Sequence, residues 1–353
     1  MLYLTIFIVV SILAFLNLFL KDEITLYLPV VALVIIAAFR SVNVGPDTIT
    51  YVQFYNFAKN GISATPDFEK GYVFLQNIFA SNSAPIWLFF GIIAIISLYS
   101  VMRNYRMYTT LPAFAFLYYF SRFFLNRDLN QIRSGVASSL VLFSIKYLEE
   151  RKFYKFLLVI LTAAQFHTAA YVMIVVYPVN VLMSRIKRGV LVYSLVLLIT
   201  AVLSLKVSGI LSTVFSLLGR GSVYISYDGY VEGAGFFNPV LMLQIVLSLI
   251  AVFFYYQDRD KVKEEQLGVL SVYVVSTVAL LALNQYAVLA GRLSTVLATV
   301  EPIILIGVMK RLVPKAFVPL MMIVASFLIL FVIYFNTGQI EQFFEPYVFS
   351  FAN

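Results

Sequence analysis

Apolar runs alternate with short polar stretches along almost the whole chain. A helix rising 1.5 Å per residue needs about 20 apolar residues to cross a bilayer, with a working range from roughly 17. Runs of about that length lie near 2–20, 24–40, 84–102, 109–125, 130–148, 153–167, 168–184, 190–206, 237–256, 267–285, 292–309 and 316–335. The pattern predicts an all-α polytopic integral membrane protein of about 12 transmembrane helices. These form a single transmembrane domain over 1–353, with two long outer loops at 41–83 and 206–236. The first run is read as a span, not a cleaved signal peptide. It lacks a basic leader and an A-x-A site, and a second run follows Lys21-Asp22-Glu23.

The stretch 153–184 is either one long tilted helix or two short ones, and charge decides between them. With two, the loops at 21–23, 103–106, 149–155, 185–188, 257–265 and 310–315 share one side and hold 15 of the 25 Lys and Arg residues. With one, the later loops invert and the bias collapses. The positive-inside rule therefore favours twelve spans with both termini outside.

Composition agrees with the pattern. Of 353 residues, 62% are hydrophobic and 12% charged, and the mean hydropathy is +0.93. A soluble domain carries about a quarter charged residues, so a soluble enzyme and a disordered chain are excluded. With no cysteine and a single histidine, His167, there is no disulfide framework, thiol nucleophile, Cys-ligated metal or His-rich metal site. The net charge of +8 reads as cytoplasmic anchoring, not as a nucleic-acid signal. No nucleotide-binding or hydrolase motif stands in a supporting context.

The outer side departs from the rule in one respect. It carries six arginines, Arg40, Arg122, Arg127, Arg133, Arg220 and Arg292, most of them at or just inside predicted helix ends. A guanidinium is always charged and meets phosphate oxygens with a planar fork. Arginines grouped at the outer boundary suit a lipid pyrophosphate; snorkelling to lipid headgroups is the plain alternative. The densest group is Arg122, Asn126, Arg127, Asp128, Asn130 and Arg133. Asn126, Asn130 and Arg133 share a face if that stretch is one helix. An ionisable residue as deep as Arg133 points to function, or to an intramembrane pair with Asp128 or Glu301.

Arg40 opens a segment in which Gly45-Pro46 forces a turn. Asp47 N-caps a following amphipathic helix, or binds or deprotonates a sugar hydroxyl. The helix's Tyr51/Phe54/Tyr55 face is an interfacial anchor or a sugar platform. His167, where two short helices must turn, is a general-base candidate beside a capping or core role. Arg292 and Glu301 reach the same cavity if their helix faces inward, although Glu301 stands beside the kink expected at Pro302. The loop 206–236 holds six of the 16 glycines and the spaced Tyr224, Tyr227 and Tyr230; its glycine density predicts a mobile segment.

Four segments resemble the EpsG-like and Wzy-type bacterial polysaccharide polymerases. They are Phe39-Arg40 through Val44-Gly45-x-Asp47-Thr48-x-x-Tyr51, Gly71-Tyr72 through Asn77, Asn130-x-Ile132-Arg133 through Tyr147, and Phe166-His167-x-x-Ala170. The resemblance implies a metal-independent glycosyltransferase of GT-C-like architecture, with no cofactor. It would join undecaprenyl-pyrophosphate-linked oligosaccharide repeat units at the outer face of the bacterial cytoplasmic membrane, in O-antigen, capsule or exopolysaccharide synthesis. It also implies a flippase of the Wzx kind and a chain-length regulator as partners. On this reading His167, Asp47 and Arg133 are catalytic, while Arg40, Arg122, Arg127, Asn130, Arg292 and Tyr51 bind the substrate and its pyrophosphate. A lipid-linked oligosaccharide flippase or exporter would need a charged cavity open alternately to both sides, whereas the buried charge here lies on one. An O-antigen ligase would carry a larger outer domain than 206–236.

Overall fold

The computed structural model describes residues 1–62, 68–206, 235–258 and 265–350. Tyr224, Tyr227, Tyr230, Arg220 and nearly all of the 206–236 loop lie outside them. The described chain is helical, and its β-structure is a single isolated bridge between Arg40 and Phe349. Among the described residues five helices are long and apolar enough to cross a membrane: Leu2–Leu20, Ile86–Tyr108, Thr168–Arg185, Pro239–Gln257 and Lys315–Phe335. A sixth candidate is the pair Val288–Ala298 and Glu301–Leu312, bent by 60°. Four apolar helices are shorter: Glu23–Ala38, Phe153–Ala164, Gly189–Ser204 and Leu267–Ala282. The protein is thus a multi-pass helical membrane protein.

Three predicted spans are interrupted, each for a local reason. The run 109–125 is a helix Pro112–Tyr119 that widens into a π-turn at Phe120–Phe124 and ends as Leu125–Asp128. The run 130–148 splits into Ile132–Val141 and Ser144–Glu149. The Ser138 and Ser139 hydroxyls donate back to the carbonyls of Ser134 and Val136, which loosens a helix. The run 292–309 breaks ahead of Glu301-Pro302, because proline lacks an N–H and disfavours a helical residue before it. The stretch 153–184 is two segments, with the turn at 165–167.

The chain forms two compact units. The first comprises Met1–Phe143, Val159–Thr168 and Met309–Asn353. Its elements begin with α1 (Leu2–Leu20), α2 (Glu23–Ala38), α3 (Thr48–Lys59), α4 (Lys70–Ser81), α5 (Ile86–Tyr108), α6 (Pro112–Tyr119), α7 (Leu125–Asp128) and α8 (Ile132–Val141). Lys21, in the left-handed conformation at φ 51°, stops α1, and the Asp22 side chain caps α2 by accepting from the Thr25 N–H at 2.7 Å. On α1 Tyr3, Phe7, Val10 and Ala14 are buried, while Ile8, Ile12, Phe15 and Phe19 are exposed, as expected of a helix with one face to lipid. α2 packs on α5, and α5 on α8.

The polar ends of this unit sort by loop. At one end Arg106 forms a two-pronged ion pair with Glu23, both contacts 2.7 Å, and Lys310 reaches Thr110. Three of the loops predicted to share the basic side thus gather there. At the other end the Met1 ammonium meets Glu345 at 2.6 Å, and Ser41 N–H donates to Val348 O at 3.0 Å. The N-terminus, the C-terminal segment and the Arg40 turn therefore lie together.

The second unit comprises Ser144–Leu158 and Ala169–Val308. Its long helices are joined through small polar groups, as in other membrane bundles. Asn180 donates to Ser271 at 3.0 Å, Tyr193 to Ser248 at 2.8 Å, and Ser276 to the Ser294 carbonyl at 2.9 Å. Glu301 is buried and accepts from the Tyr273 hydroxyl at 2.9 Å. Arg292, half-buried on Ala287–Ala298, belongs to this unit.

Candidate functional site

The site is built around the turn that follows α2. Gly45 takes φ +83°, and its N–H donates to the Phe343 carbonyl at 2.8 Å. A Cβ at this position would stand 2.3 Å from the Leu129 carbonyl oxygen, so only glycine admits this approach. Thr48 Oγ1 lies 2.6 Å from Val44 O and 3.2 Å from Leu129 O, and accepts from Arg40 Nε at 3.2 Å. Asp47 holds the N-cap position of α3, but its side chain makes no cap hydrogen bond, in contrast to the cap the sequence predicts. Its backbone N–H instead donates to Asn130 Oδ1 at 2.8 Å.

That contact also explains a second difference. Asn126, Asn130 and Arg133 do not share one helical face, because the chain leaves α7 at Asp128 and re-enters α8 at Ile132. Leu129 and Asn130 are engaged by the Gly45–Thr48 turn instead of continuing a helix.

α3 and α4 form an aromatic hairpin against α5 and α8. Tyr55 donates to the Ala84 carbonyl at 2.8 Å, and Gln76 to that of Phe54 at 3.2 Å. The rings of Tyr51 and Tyr72 are 5.8 Å apart, and Phe68 lies 5.9 and 5.4 Å from them. Tyr51 and Tyr55 are buried in a core with Tyr72, Phe89, Phe90 and Ile132. Of the face read as an interfacial anchor or a sugar platform, Tyr51 and Tyr55 are therefore internal and Phe54 is half-buried. Burial pushes the Tyr51 and Tyr72 phenols up, and the Arg40 and Arg133 guanidiniums pull both down. The two phenols thus lie in the field of two cations.

Arg133 opens α8 in its first turn. It is ion-paired through Nη1 with Glu69 Oε2, donates to the Tyr51 hydroxyl, and stacks 4.2 Å from the Phe68 ring centre. The partner is Glu69, not Asp128 or Glu301. The other Glu69 oxygen accepts the Thr168 N–H at 3.0 Å. Beside it the Tyr72 N–H donates to the Gln165 carbonyl at 3.1 Å, and a Cβ on Gly71 would meet Gln165 Cβ at 2.5 Å. The turn carrying half-buried His167 is thereby stitched to the start of α4.

Three buried polar atoms in this group have no hydrogen-bond partner among the described residues: Arg40 Nη2, Tyr72 Oη and Arg133 Nε. Arg40 also donates through Nη1 to the Ala37 carbonyl and lies 4.0 Å over the Phe90 ring. Leaving a buried donor unmade costs about 1–3 kcal/mol. Tyr72→Phe should therefore leave thermal stability within about 0.5 kcal/mol of the parent, since it removes an unsatisfied hydroxyl. If the hydroxyl serves a bound anion, the same change should weaken substrate binding about tenfold. A loss of stability without a change in KM would show a purely structural hydroxyl.

The structure thus brings together Arg40, Asp47, Tyr51, Asn130, Arg133 and the His167 turn. Arg122 and Arg127 lie in a neighbouring buried group, stacked on Phe123 at 5.1 and 4.2 Å, with Asp128 accepting from the Tyr119 hydroxyl at 2.8 Å. Glu69 and Tyr72 complete the site, and the side-chain chemistry of the sequence does not single them out. Tyr72 stood inside a segment of the family resemblance. The one signal for Glu69 was an acid beside the Gly71-Tyr72 pair.

The chain belongs to the EpsG family, whose model matches residues 23–349. It is also similar to the amylovoran biosynthesis protein AmsC of Erwinia amylovora. The two are 23% identical over 298 residues, covering 80% of this chain and 78% of that protein. No solved structure matches.

Proposed function

We propose that the protein is a polysaccharide polymerase, a membrane-embedded glycosyltransferase that joins undecaprenyl-pyrophosphate-linked repeat units. The observation that carries this is the convergence of Arg40, Tyr72 and Arg133, with their three orphaned donors, at the end of the bundle where the His167 turn lies. Membership of the EpsG family and similarity to a protein of amylovoran biosynthesis support the substrate class. On this reading the site faces the exterior of the bacterial cytoplasmic membrane and the basic loops lie inside. Twelve spans in a GT-C-like arrangement belong to the same reading, as do a Wzx-type flippase and a chain-length regulator as partners.

The growing chain is the donor, carried through its anomeric carbon on lipid pyrophosphate. A hydroxyl of the incoming unit attacks that carbon. The new C–O bond forms as the bond to the pyrophosphate breaks, and the leaving group departs with the electron pair. Arg133 and Arg40 stabilise the charge that develops on it, work that a fixed guanidinium performs without a metal. Arg122, Arg127 and Arg292 remain further candidates for that binding. Asn130 holds the Asp47 backbone in place. His167 or Asp47 accepts the hydroxyl proton.

The test is the full chain in proteoliposomes with a synthetic lipid-pyrophosphate repeat unit, scored as a polymer ladder on a gel. A ladder is expected, and its yield should be unchanged in EDTA. Absence of polymer would sink the reading, and loss in EDTA with recovery on adding a divalent ion would place a metal in the reaction.

A further inference from the structure

We propose that Glu69 is the positioning residue of this site, a single carboxylate that sets both the arginine fork and the histidine turn. The inference rests on the polymerase reading for the roles of Arg133 and His167; the geometry of Glu69 stands without it.

One Glu69 oxygen is spent on Arg133 Nη1 and the other on the peptide N–H that follows His167. The three residues come from parts of the chain 64 and 99 positions apart. The Glu69 and Arg133 side chains are only 12% and 19% exposed, so the pair is held where water screens it poorly. Both Glu69 oxygens are engaged by these partners. Its work is done through its partners.

The fork is consequently oriented. Nη1 faces Glu69, Tyr51 accepts a further hydrogen bond, and the Phe68 ring covers the flat face. Nε is left as the unpartnered donor, together with Arg40 Nη2 and Tyr72 Oη. Glu69 therefore selects which edge of Arg133 is offered to an anionic leaving group. It also fixes the backbone at Thr168 and so the setting of the His167 ring. Its negative charge offsets that of Arg133 beside the Tyr51/Tyr72 pair.

The experiment uses the full chain in proteoliposomes, as Glu69→Gln, Glu69→Asp, Arg133→Lys and the double variant Glu69→Gln/Arg133→Lys. Glu69→Gln is isosteric, keeps an acceptor for Thr168 and loses the charge. It should lower kcat about tenfold to a hundredfold with KM changed less than threefold, because the edge it orients acts mainly on the leaving group. Glu69→Asp should retain more activity than Glu69→Gln. In the Arg133→Lys background, Glu69→Gln should cost less than threefold, because the planar fork that Glu69 orients is already gone. Parental activity in Glu69→Gln, or full additivity in the double variant, would overturn the proposal.

A measurement independent of activity keeps the two ideas apart. Amide hydrogen exchange over residues 165–170 should accelerate at least tenfold in Glu69→Ala. If the parent protein makes no polymer but this acceleration is seen, the clamp stands and the polymerase reading falls. Exchange unchanged in Glu69→Ala would overturn the clamp whatever the activity.

Discussion

Arg133→Lys is expected to lower polymer formation by about tenfold to a thousandfold, the range lost when one donor to a developing charge is removed. The charge is kept, and a lysine ammonium can still approach Glu69. Three things are lost. The planar fork can no longer face Glu69 with one edge and leave Nε to another acceptor. The hydrogen bond to Tyr51 is forfeited, and the stack over Phe68 at 4.2 Å has no flat cation to fill it. The loss should fall in kcat, because the interaction strengthens as the leaving group gains charge. Membrane insertion should be normal, since Arg133 adds nothing to a span's hydrophobic length. His167→Ala should cost about a hundredfold if the imidazole is the base, and the residual activity should lose its acidic limb. A parental rate in Arg133→Lys beside an inactive His167→Ala would move pyrophosphate binding to Arg122, Arg127 or Arg292. Full activity in both would end the mechanism.

What the sequence discloses and what it conceals divide along the range of the interactions. The turn at Gly45-Pro46, the helix behind it and the return of the chain at 165–167 are local, and each is written in nearby residues: a positive-φ glycine, a helical aromatic spacing, a change in loop charge. Apolar length likewise marks the long helices such as Leu2–Leu20 and Ile86–Tyr108. The errors arise where distant partners override a local pattern. Spacing puts Asn126, Asn130 and Arg133 on one helix face, but Leu129 O and Asn130 Oδ1 are taken by Thr48 and by the Asp47 N–H, more than 80 residues earlier in the chain. The Tyr51/Tyr55 face looks amphipathic and surface-seeking, yet α4 and α5 cover it. Glu69 carries no pattern of its own, because its meaning lies in Arg133 and Thr168. The C-terminal segment is a further case. Tyr347 donates to the Ile36 carbonyl at 2.6 Å, and Phe349 bridges Arg40, contacts that no reading of hydropathy anticipates.

The close approaches that assemble these segments make the second large effect. Gly45→Ala should abolish activity, by at least a hundredfold, and destabilise the first unit by about 3 kcal/mol or more. Two costs add. Alanine at φ +83° is strained by about 1–2 kcal/mol. Its Cβ would also sit 2.3 Å from Leu129 O and 3.2 Å from Asn130 Cα, both backbone atoms that no rotamer change can move aside. Relief requires the Arg40–Thr48 turn to lift from Leu129-Asn130, which breaks the Thr48 and Asp47 contacts and withdraws Arg40 from the Tyr51/Tyr72 pair. Gly61 supplies the control. It also has a positive φ, +71°, but among the described residues nothing lies within 4 Å of the position a Cβ would take. Gly61→Ala should therefore cost only the strain, about 1 kcal/mol, and leave polymerisation within about twofold of the parent. Gly71→Ala should behave like Gly45→Ala, because its Cβ would press on Gln165 at 2.5 Å and part α4 from the His167 turn. Thermal unfolding and polymer yield measured on the three variants separate strain from contact. Equal losses in Gly45→Ala and Gly61→Ala would mean that backbone conformation alone governs these turns, and that the approach of residue 45 to Leu129 does not hold the site together.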